Sequence, residues 1–422
     1  MNYDYVIVGA GVAGLFCALN ISENKKILIV SKSDLSESDS YLAQGGICVQ
    51  NGENDFDSFV SDTMKAGRFE NDENAVKQMV KSSREVINDL ISFGVDFAKD
   101  ENGNLLYTRE GGHSAHRILY HEDQTGKEIT STLLKRAKER KNITFSDYTE
   151  MLDIIEENGE CVGVILKKDS KIYPIFSNAV LLATGGVGGL YEHSTNFSCL
   201  TGDALAVALN HKIRTKHLNY VQIHPTTFYS NKGGRSFLIS ESVRGEGAII
   251  LDKHGERFVN ELLPRDVVTA EIHKKMQEQG TEHVWLDMRP VGEKMIKEHF
   301  PTIMQRCKNE GYDVITEPIP IVPAQHYFMG GIEVDENAAT SMPRLYSAGE
   351  TACNGVHGKN RLASNSLLES IVWAKRAAIN MQKVEPLKIK PCVNLQPYAD
   401  YSALKENYKK IVLSKIKENT NA

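Results

Sequence analysis

The chain lacks the features that would place it in a membrane, on a secretory route, around a metal or against nucleic acid. No apolar run is long enough to span a bilayer. The first residues enter a strand without a charged and then apolar leader, so no secretory signal is expected. Seven cysteines (Cys17, Cys48, Cys161, Cys199, Cys307, Cys353, Cys392) lie far apart, with no Cys-x-x-Cys pair. That set fits free thiols in a reducing cytoplasm, each a small buried apolar residue rather than a metal ligand or nucleophile. Basic residues (49) are outnumbered by acidic ones (55), a formal charge of −6, so a basic face for nucleic acid is not expected. Local basic patches can still attract an anionic substrate. There is no internal repeat and no low-complexity block.

What is present begins at once. Tyr5-Val6-Ile7-Val8 runs into Gly9-Ala10-Gly11-Val12-Ala13-Gly14, and a second strand-like stretch, Lys26 to Val30, follows a helical pattern near 12–21. This is the opening βαβ of a doubly wound fold. Gly9 permits the tight turn, Gly11 lets a phosphate approach, and Gly14 lets helix and strand pack closely. The backbone N–H groups at the helix start can then hold a pyrophosphate. A cofactor-like segment, Leu345-Tyr346-Ser347-Ala348-Gly349-Glu350, returns more than three hundred residues later. A nicotinamide site is usually completed within one contiguous stretch, whereas a flavin adenine dinucleotide site is closed by sequence that returns after an insertion. The split points to FAD. A length of 422 residues leaves room for two or three domains.

Helical patterns are expected near 56–66, 73–93, 126–140, 202–211, 364–381 and 400–417. Asn158-Gly159 between apolar stretches is a strong hairpin signal. Ala179 to Leu182 reads as a buried strand ending at Ala183-Thr184-Gly185-Gly186. The expected organisation is α/β: a Rossmann-like FAD-binding domain (1–217 and 327–383), an inserted α+β capping domain (218–326) and a short helical C-terminal tail (384–422).

The second strand ends in Ser31-Lys32, not in the acid that usually binds adenosine ribose. Ser31 can hydrogen-bond there, and Lys32 reads as an edge residue with access to the adenosine region. Glu350 can hold a ribityl hydroxyl through its carboxylate. Ser364-Asn365-Ser366 opens a helix, with Ser364 as an N-cap and the positive helix end serving the flavin pyrimidine edge. His113 and His116 are three apart, but no further ligands complete a metal site, so a structural or loop-orienting role is expected.

Ala43-Gln44-Gly45-Gly46, Arg109-Glu110-Gly111-Gly112-His113-Ser114, Thr201-Gly202-Asp203, Gln222-Ile223-His224-Pro225-Thr226, Arg244-Gly245-Glu246-Gly247, Pro264-Arg265-Asp266, His326 to Gly331 and His357 to Leu368 occur in this order. The chain thereby resembles the succinate dehydrogenase/fumarate reductase flavoprotein superfamily, and its aspartate-oxidising branch in particular. The resemblance covers roughly nine-tenths of the chain and implies a substrate held where the FAD and capping domains meet. It implies carboxylate binding by His224, His326 and Arg361, and an arginine at Arg265 that delivers a proton in fumarate reduction. It also implies an amine-recognising acid at Glu110. Flavin contacts are implied at Ser31, Ser40, Gln44, Gly45, Gly46, Asp203, Glu350, Ser366 and Leu367, beside Gly9 to Gly14, Lys32, Thr184 and Gly185. Asp39 stands where membrane-associated relatives carry a flavin-bonded histidine, which implies non-covalent FAD.

The activity implied is oxidation of L-aspartate to iminoaspartate, with hydride transfer to flavin N5. Oxygen (giving hydrogen peroxide) or fumarate (giving succinate) would then accept the electrons, and the product would feed quinolinate formation and de novo NAD synthesis. A fumarate reductase or succinate dehydrogenase flavoprotein subunit with an iron–sulfur partner is the alternative, and a flavin-binding scaffold without catalysis is a further one. The family usually has a longer helical C-terminal region than this chain.

Overall fold

Four consecutive buried residues in each of Tyr5–Val8, Ile27–Val30 and Ala179–Leu182 mark strands covered on both faces. They lie in a five-stranded sheet with Leu345–Ser347 at one edge and Ile143–Ser146 at the other, every pair parallel. The structure, a computed structural model, describes residues 3–122, 124–232, 234–388 and 391–420. Its chain divides into two compact units: residues 1–190, 199–221 and 328–422, and residues 191–198 with 222–327.

The first unit is built on the turn after Tyr5–Val8. Gly9 has φ +118°, and a Cβ there would stand 2.0 Å from the Ala183 carbonyl oxygen. A Cβ on Gly14 would stand 2.0 Å from the Gly9 carbonyl oxygen. Both positions therefore require glycine. The helix Val12–Asn20 is buried on nearly all sides and packs against Asn365–Met381 and Thr125–Glu139. The long helices Phe56–Ala66 and Glu73–Phe93 form where the apolar periodicity places them, the second capped by Asp72 on the amides of Asn74 and Ala75. Asn158 (φ 52°) and Gly159 (φ 80°) turn the hairpin Thr149–Glu157/Glu160–Lys168, the left-handed pair a two-residue loop demands.

The second unit holds a five-stranded sheet ordered Phe237–Leu238, Val221–Phe228, Ile319–Phe328, Val284–Asp287 and Ile249–Leu251. Its separate core includes Ile250, Val268, Ile272, Leu286 and Ile321. Tyr191–Ser198 belongs here rather than with the FAD-binding segment in which the sequence boundary left it. The reason is main-chain pairing: Thr195 N–H donates to the Gln325 carbonyl at 2.9 Å, and Gln325 N–H donates to the His193 carbonyl at 2.9 Å.

The C-terminal tail is part of the first unit, not a separate appendage. Tyr408, Val412 and Ile416 bury one face of Tyr401–Thr420. The Tyr408 hydroxyl donates to the Leu152 carbonyl at 2.7 Å, and the Tyr398 hydroxyl donates to Asp153 at 2.8 Å. No described helix is long and apolar enough to cross a membrane.

The hairpin also carries a titrating contact. His211 lies 2.9 Å from Asp153 through Nε2 and 2.7 Å from Glu156 through Nδ1. The hydrogen bond it donates to Asp153, with that to Glu156, pushes the imidazole up to about 8 from its ordinary 6.5. A folded-state pKa above the unfolded one means that this stabilisation is complete below the unfolded value and is lost as pH rises through the folded one. Denaturant unfolding followed from about pH 6 to about pH 9 is expected to lose up to ~2 kcal/mol, a loss absent from His211→Leu.

Candidate functional site

The first unit gathers most of the expected cofactor residues around the Gly9–Gly14 turn. Gly11 caps the helix Val12–Asn20 without a side-chain bond, and Val12 N–H donates to Ser40 Oγ at 3.2 Å. The helix N-terminus thus presents main-chain amides, the arrangement that suits a pyrophosphate. Ser31 is buried at the end of its strand, with its N–H on the Ser146 carbonyl at 3.0 Å. Thr184 Oγ1 lies 3.2 Å from Thr351 Oγ1, which donates to the Gly185 carbonyl at 3.1 Å.

Glu350 Oε1 accepts from the Phe328 N–H at 2.8 Å. A Cβ on Gly186 would sit 2.2 Å from that same oxygen. Glu350 keeps some exposed surface, yet most of its surroundings are protein. Burial, with Asp39 nearby, pushes its carboxyl up to about 8. A desolvated carboxyl over a glycine floor gains from a hydroxyl donor. The amide-lined helix end and this carboxyl together fit the polar parts of FAD.

Lys32 and Asp203, both expected among the cofactor contacts, bond to one another. Lys32 is not a solvated edge residue. Its Nζ donates to the Cys199 carbonyl at 2.9 Å, Thr201 Oγ1 at 3.0 Å and Asp203 Oδ2 at 2.7 Å. Burial opposes its charge, but Asp203 and Glu150 outweigh that and raise its pKa. Asp203 and Glu150 also accept from Lys405 of the tail. Neither charge was legible as a partner of the other, because 171 residues separate them.

A second cluster surrounds the start of the helix Asn365–Met381. Ser364 sits at its N-cap with φ 60° but makes no side-chain cap bond, contrary to the sequence expectation. Its Oγ instead donates to Glu110 Oε2 at 2.6 Å and accepts from the Gly46 N–H at 3.1 Å. Beside Gly46, a Cβ on Gly45 would lie 2.6 Å from Glu110 Oε1. Arg361, buried, donates from Nη1 to Ser366 Oγ at 3.1 Å. Gln44 is half-buried ahead of these glycines, and Leu367 is buried in the helix. One helix start therefore carries both a guanidinium and a carboxylate. His113 is buried, with Nε2 3.0 Å from the Ala363 carbonyl, and His116 is exposed.

The second unit brings His224, His326 and Arg265 together. The two imidazole rings meet edge to face, centroids 5.5 Å apart. His326 Nδ1 lies 2.8 Å from Thr195 Oγ1, and His224 Nδ1 makes contacts to the Thr226 backbone at 3.1 and 3.3 Å. Arg265 donates from Nε to Glu241 at 2.6 Å and from Nη1 to Gln222 at 3.1 Å. Burial, reinforced by Arg265, His326 and Arg244, holds His224 well below the usual histidine range. At neutral pH it is an uncharged hydrogen-bonding ring rather than part of a cationic clamp.

Arg244 lies in one of the ordered segments, but no role for it was legible in the sequence. It is buried, and it donates to the Glu261 carbonyl. Its Nη2 lies 3.8 Å from Glu241. The i,i+3 spacing of Glu241 and Arg244 was the available signal.

Residues 4–367 match the family described as "FAD binding domain". With the amide-lined turn and the returning Glu350 segment, this defines a flavoprotein that holds FAD. The chain is 48% identical over 401 residues to the L-aspartate oxidase of Clostridium perfringens, covering 94% of this chain and 91% of that protein. It is 46% identical over 379 residues to the L-aspartate oxidase of Clostridium acetobutylicum, covering 90% and 87% respectively. Among solved structures, a variant of E. coli quinol fumarate reductase superposes with a TM-score of 0.85 at 30% identity, covering 99% of this chain and 74% of that one. The chain belongs to the L-aspartate oxidase family of FAD-binding flavoproteins.

Gly186→Ala tests the Glu350 floor. The added methyl must displace the carboxylate. Protein purified with this change is expected to carry less than half the flavin of the unmodified chain, read as the visible-to-ultraviolet absorbance ratio. Full flavin content would contradict the placement.

Proposed function

We propose that this chain oxidises L-aspartate to iminoaspartate with non-covalently held FAD. The observation that carries the reading is that Arg361 and Glu110 are both tied to one helix start, the first bonded to Ser366 and the second to Ser364. An α-amino acid presents a carboxylate and an ammonium on one carbon. A planar guanidinium suits the first, and an ionised carboxylate suits the second. Succinate lacks the ammonium, and with it Glu110 would face a substrate bearing only negative charge.

His224, His326 and Arg265 are the proposed carboxylate-binding groups of the second unit. His224 contributes hydrogen bonding without charge. Glu241 and Gln222 occupy Nε and Nη1 of Arg265, which fixes the plane of its guanidinium and leaves Nη2 as the remaining edge. Before the α-carbon can lose hydride, its ammonium must shed a proton, and a Glu110 carboxylate oxygen is the proposed acceptor. FAD, when bound, would supply the two-electron acceptor for the hydride that leaves the α-carbon. Ser364 keeps Glu110 from turning away during this exchange.

Asp39 occupies the position of the flavin-bonded histidine in membrane-associated relatives, and this supports dissociable FAD. Oxygen and fumarate are the proposed final acceptors. The likeness to quinol fumarate reductase at 30% identity supports the second. Iminoaspartate would then pass to quinolinate formation at the start of de novo NAD synthesis. A fumarate reductase or succinate dehydrogenase subunit is the second reading, supported by that same likeness and opposed by the placement of Glu110. A cytoplasmic site is in keeping with all of these assignments.

Anaerobic L-aspartate is expected to bleach the flavin absorbance, while succinate at equal concentration bleaches it poorly. Arg265→Gln and Arg361→Lys are each expected to lower kcat/KM for L-aspartate by about 10²–10³-fold with FAD still bound. Equal bleaching by succinate, or unchanged turnover in both variants, would overturn the proposal.

A further inference from the structure

Arg117 is fully buried, 0% exposed, and has been given no role above. A buried charge is costly unless it is paired and fully hydrogen-bonded. Here Nε donates to Asp55 at 3.1 Å, and Nη2 donates to Asp55 at 2.8 Å and Ser58 Oγ at 2.9 Å. Nη1 donates to Asp62 at 2.6 Å and lies 3.0 Å from His113 Nδ1. Phe59 lies under the guanidinium, 4.9 Å from its ring centroid.

A guanidinium only donates, so His113 Nδ1 must accept and the ring proton must sit on Nε2. Nε2 then donates to the Ala363 carbonyl at 3.0 Å. Burial, with Arg117 alongside, holds His113 below its ordinary range, in keeping with a neutral ring that accepts at Nδ1.

This fixed tautomer joins two loops. Ala363 lies between Arg361 and Ser364. On the other side, His113 N–H donates to the Glu110 carbonyl at 3.2 Å, and Ser114 N–H and Oγ both donate to Asp62 Oδ2 at 2.7 Å. The segment Glu110–Ser114 is therefore tied down close to the acid it carries, and the same ring holds the Arg361–Ser364 turn. Ser364 is held at φ 60°, a conformation that costs a non-glycine residue energy and persists only where neighbours fix it.

We propose that His113, oriented by Arg117, is a positioning residue: it sets the spacing of Glu110 from the Arg361 loop and thereby the preference for a dicarboxylate that bears an amine. The proposal rests on the reading of Glu110 as the ammonium partner. Ion-pair energy falls with separation, so an acid that drifts from its place recognises the ammonium less well while the dicarboxylate skeleton still binds.

The test uses FAD-loaded protein and one readout, the succinate inhibition constant divided by the KM for L-aspartate. Flavin content and unfolding midpoint are recorded alongside. His113→Leu is expected to lower the ratio by about tenfold with FAD retained. His113→Gln offers an amide donor and acceptor in place of the two ring nitrogens, and is expected to restore the ratio to within about threefold. Ser114→Ala, at an exposed position, removes one bond to Asp62 and is expected to lower the ratio by about threefold, which keeps the test available if the leucine variant does not fold. Glu110→Gln separates the two claims. If it collapses the ratio while His113→Leu and Ser114→Ala leave it unchanged, the positioning role is overturned and the role of Glu110 stands. If Glu110→Gln leaves the ratio unchanged, the reading of Glu110 falls and this inference falls with it.

Discussion

The approach of Gly14 to the Gly9 carbonyl governs the first unit. No other residue type tolerates a Cβ position 2.0 Å from a carbonyl oxygen. The contact fixes the helix Val12–Asn20 against its strand and sets the direction of its N-terminal amides. The strand Ala179–Leu182 ends beside the same turn, because Gly9 also lies against Ala183. Glu350 reaches the site from a third, parallel strand, Leu345–Ser347. Three segments distant in the chain are thereby brought to the carboxyl ends of neighbouring parallel strands, where α/β folds bind their ligands.

Burial decides what the charged groups at the site can do. Glu350 is pushed up to about 8, and His224 is held well below its usual range. Both are expected to be neutral near pH 7, one able to donate as well as accept a hydrogen bond and the other unable to act as a cation. Charge is instead concentrated on the arginines. Buried Cys48 lies among these groups: burial raises its thiol well above the ordinary range, with Glu110 raising it further and Arg117 and Arg361 acting against them. It is a packing residue and not a nucleophile.

Local signals were legible in the sequence wherever neighbours along the chain determine structure. The glycine turn, the Asn158-Gly159 hairpin and the long helices all depend on contacts within a few residues. The grouping of His224, His326 and Arg265 came from ordered segments, not from any local pattern. What escaped depends on distant partners. Arg117 meets Asp62 across 55 residues, and Lys32 meets Asp203 across 171. Ser364 looked like a cap because its position is that of a cap, yet its hydroxyl is drawn to Glu110, 254 residues away. The spacing of Asp55 and Asp62, two helical turns apart, was the one local sign that an internal cation faced that helix. The docking place of the tail was not legible, because the surface that receives Tyr408 and Val412 forms only on folding.

The central claim is that electrons leave the carbon bearing the amine, which Glu110 and Arg361 hold in common. The most direct measurement is the rate of anaerobic flavin reduction by L-aspartate deuterated either at the α-carbon or at the β-carbon. The account predicts slower reduction with the α-deuterated substrate and little change with the β-deuterated one. Slowing confined to the β-deuterated substrate would mean desaturation of the carbon chain, and would contradict it.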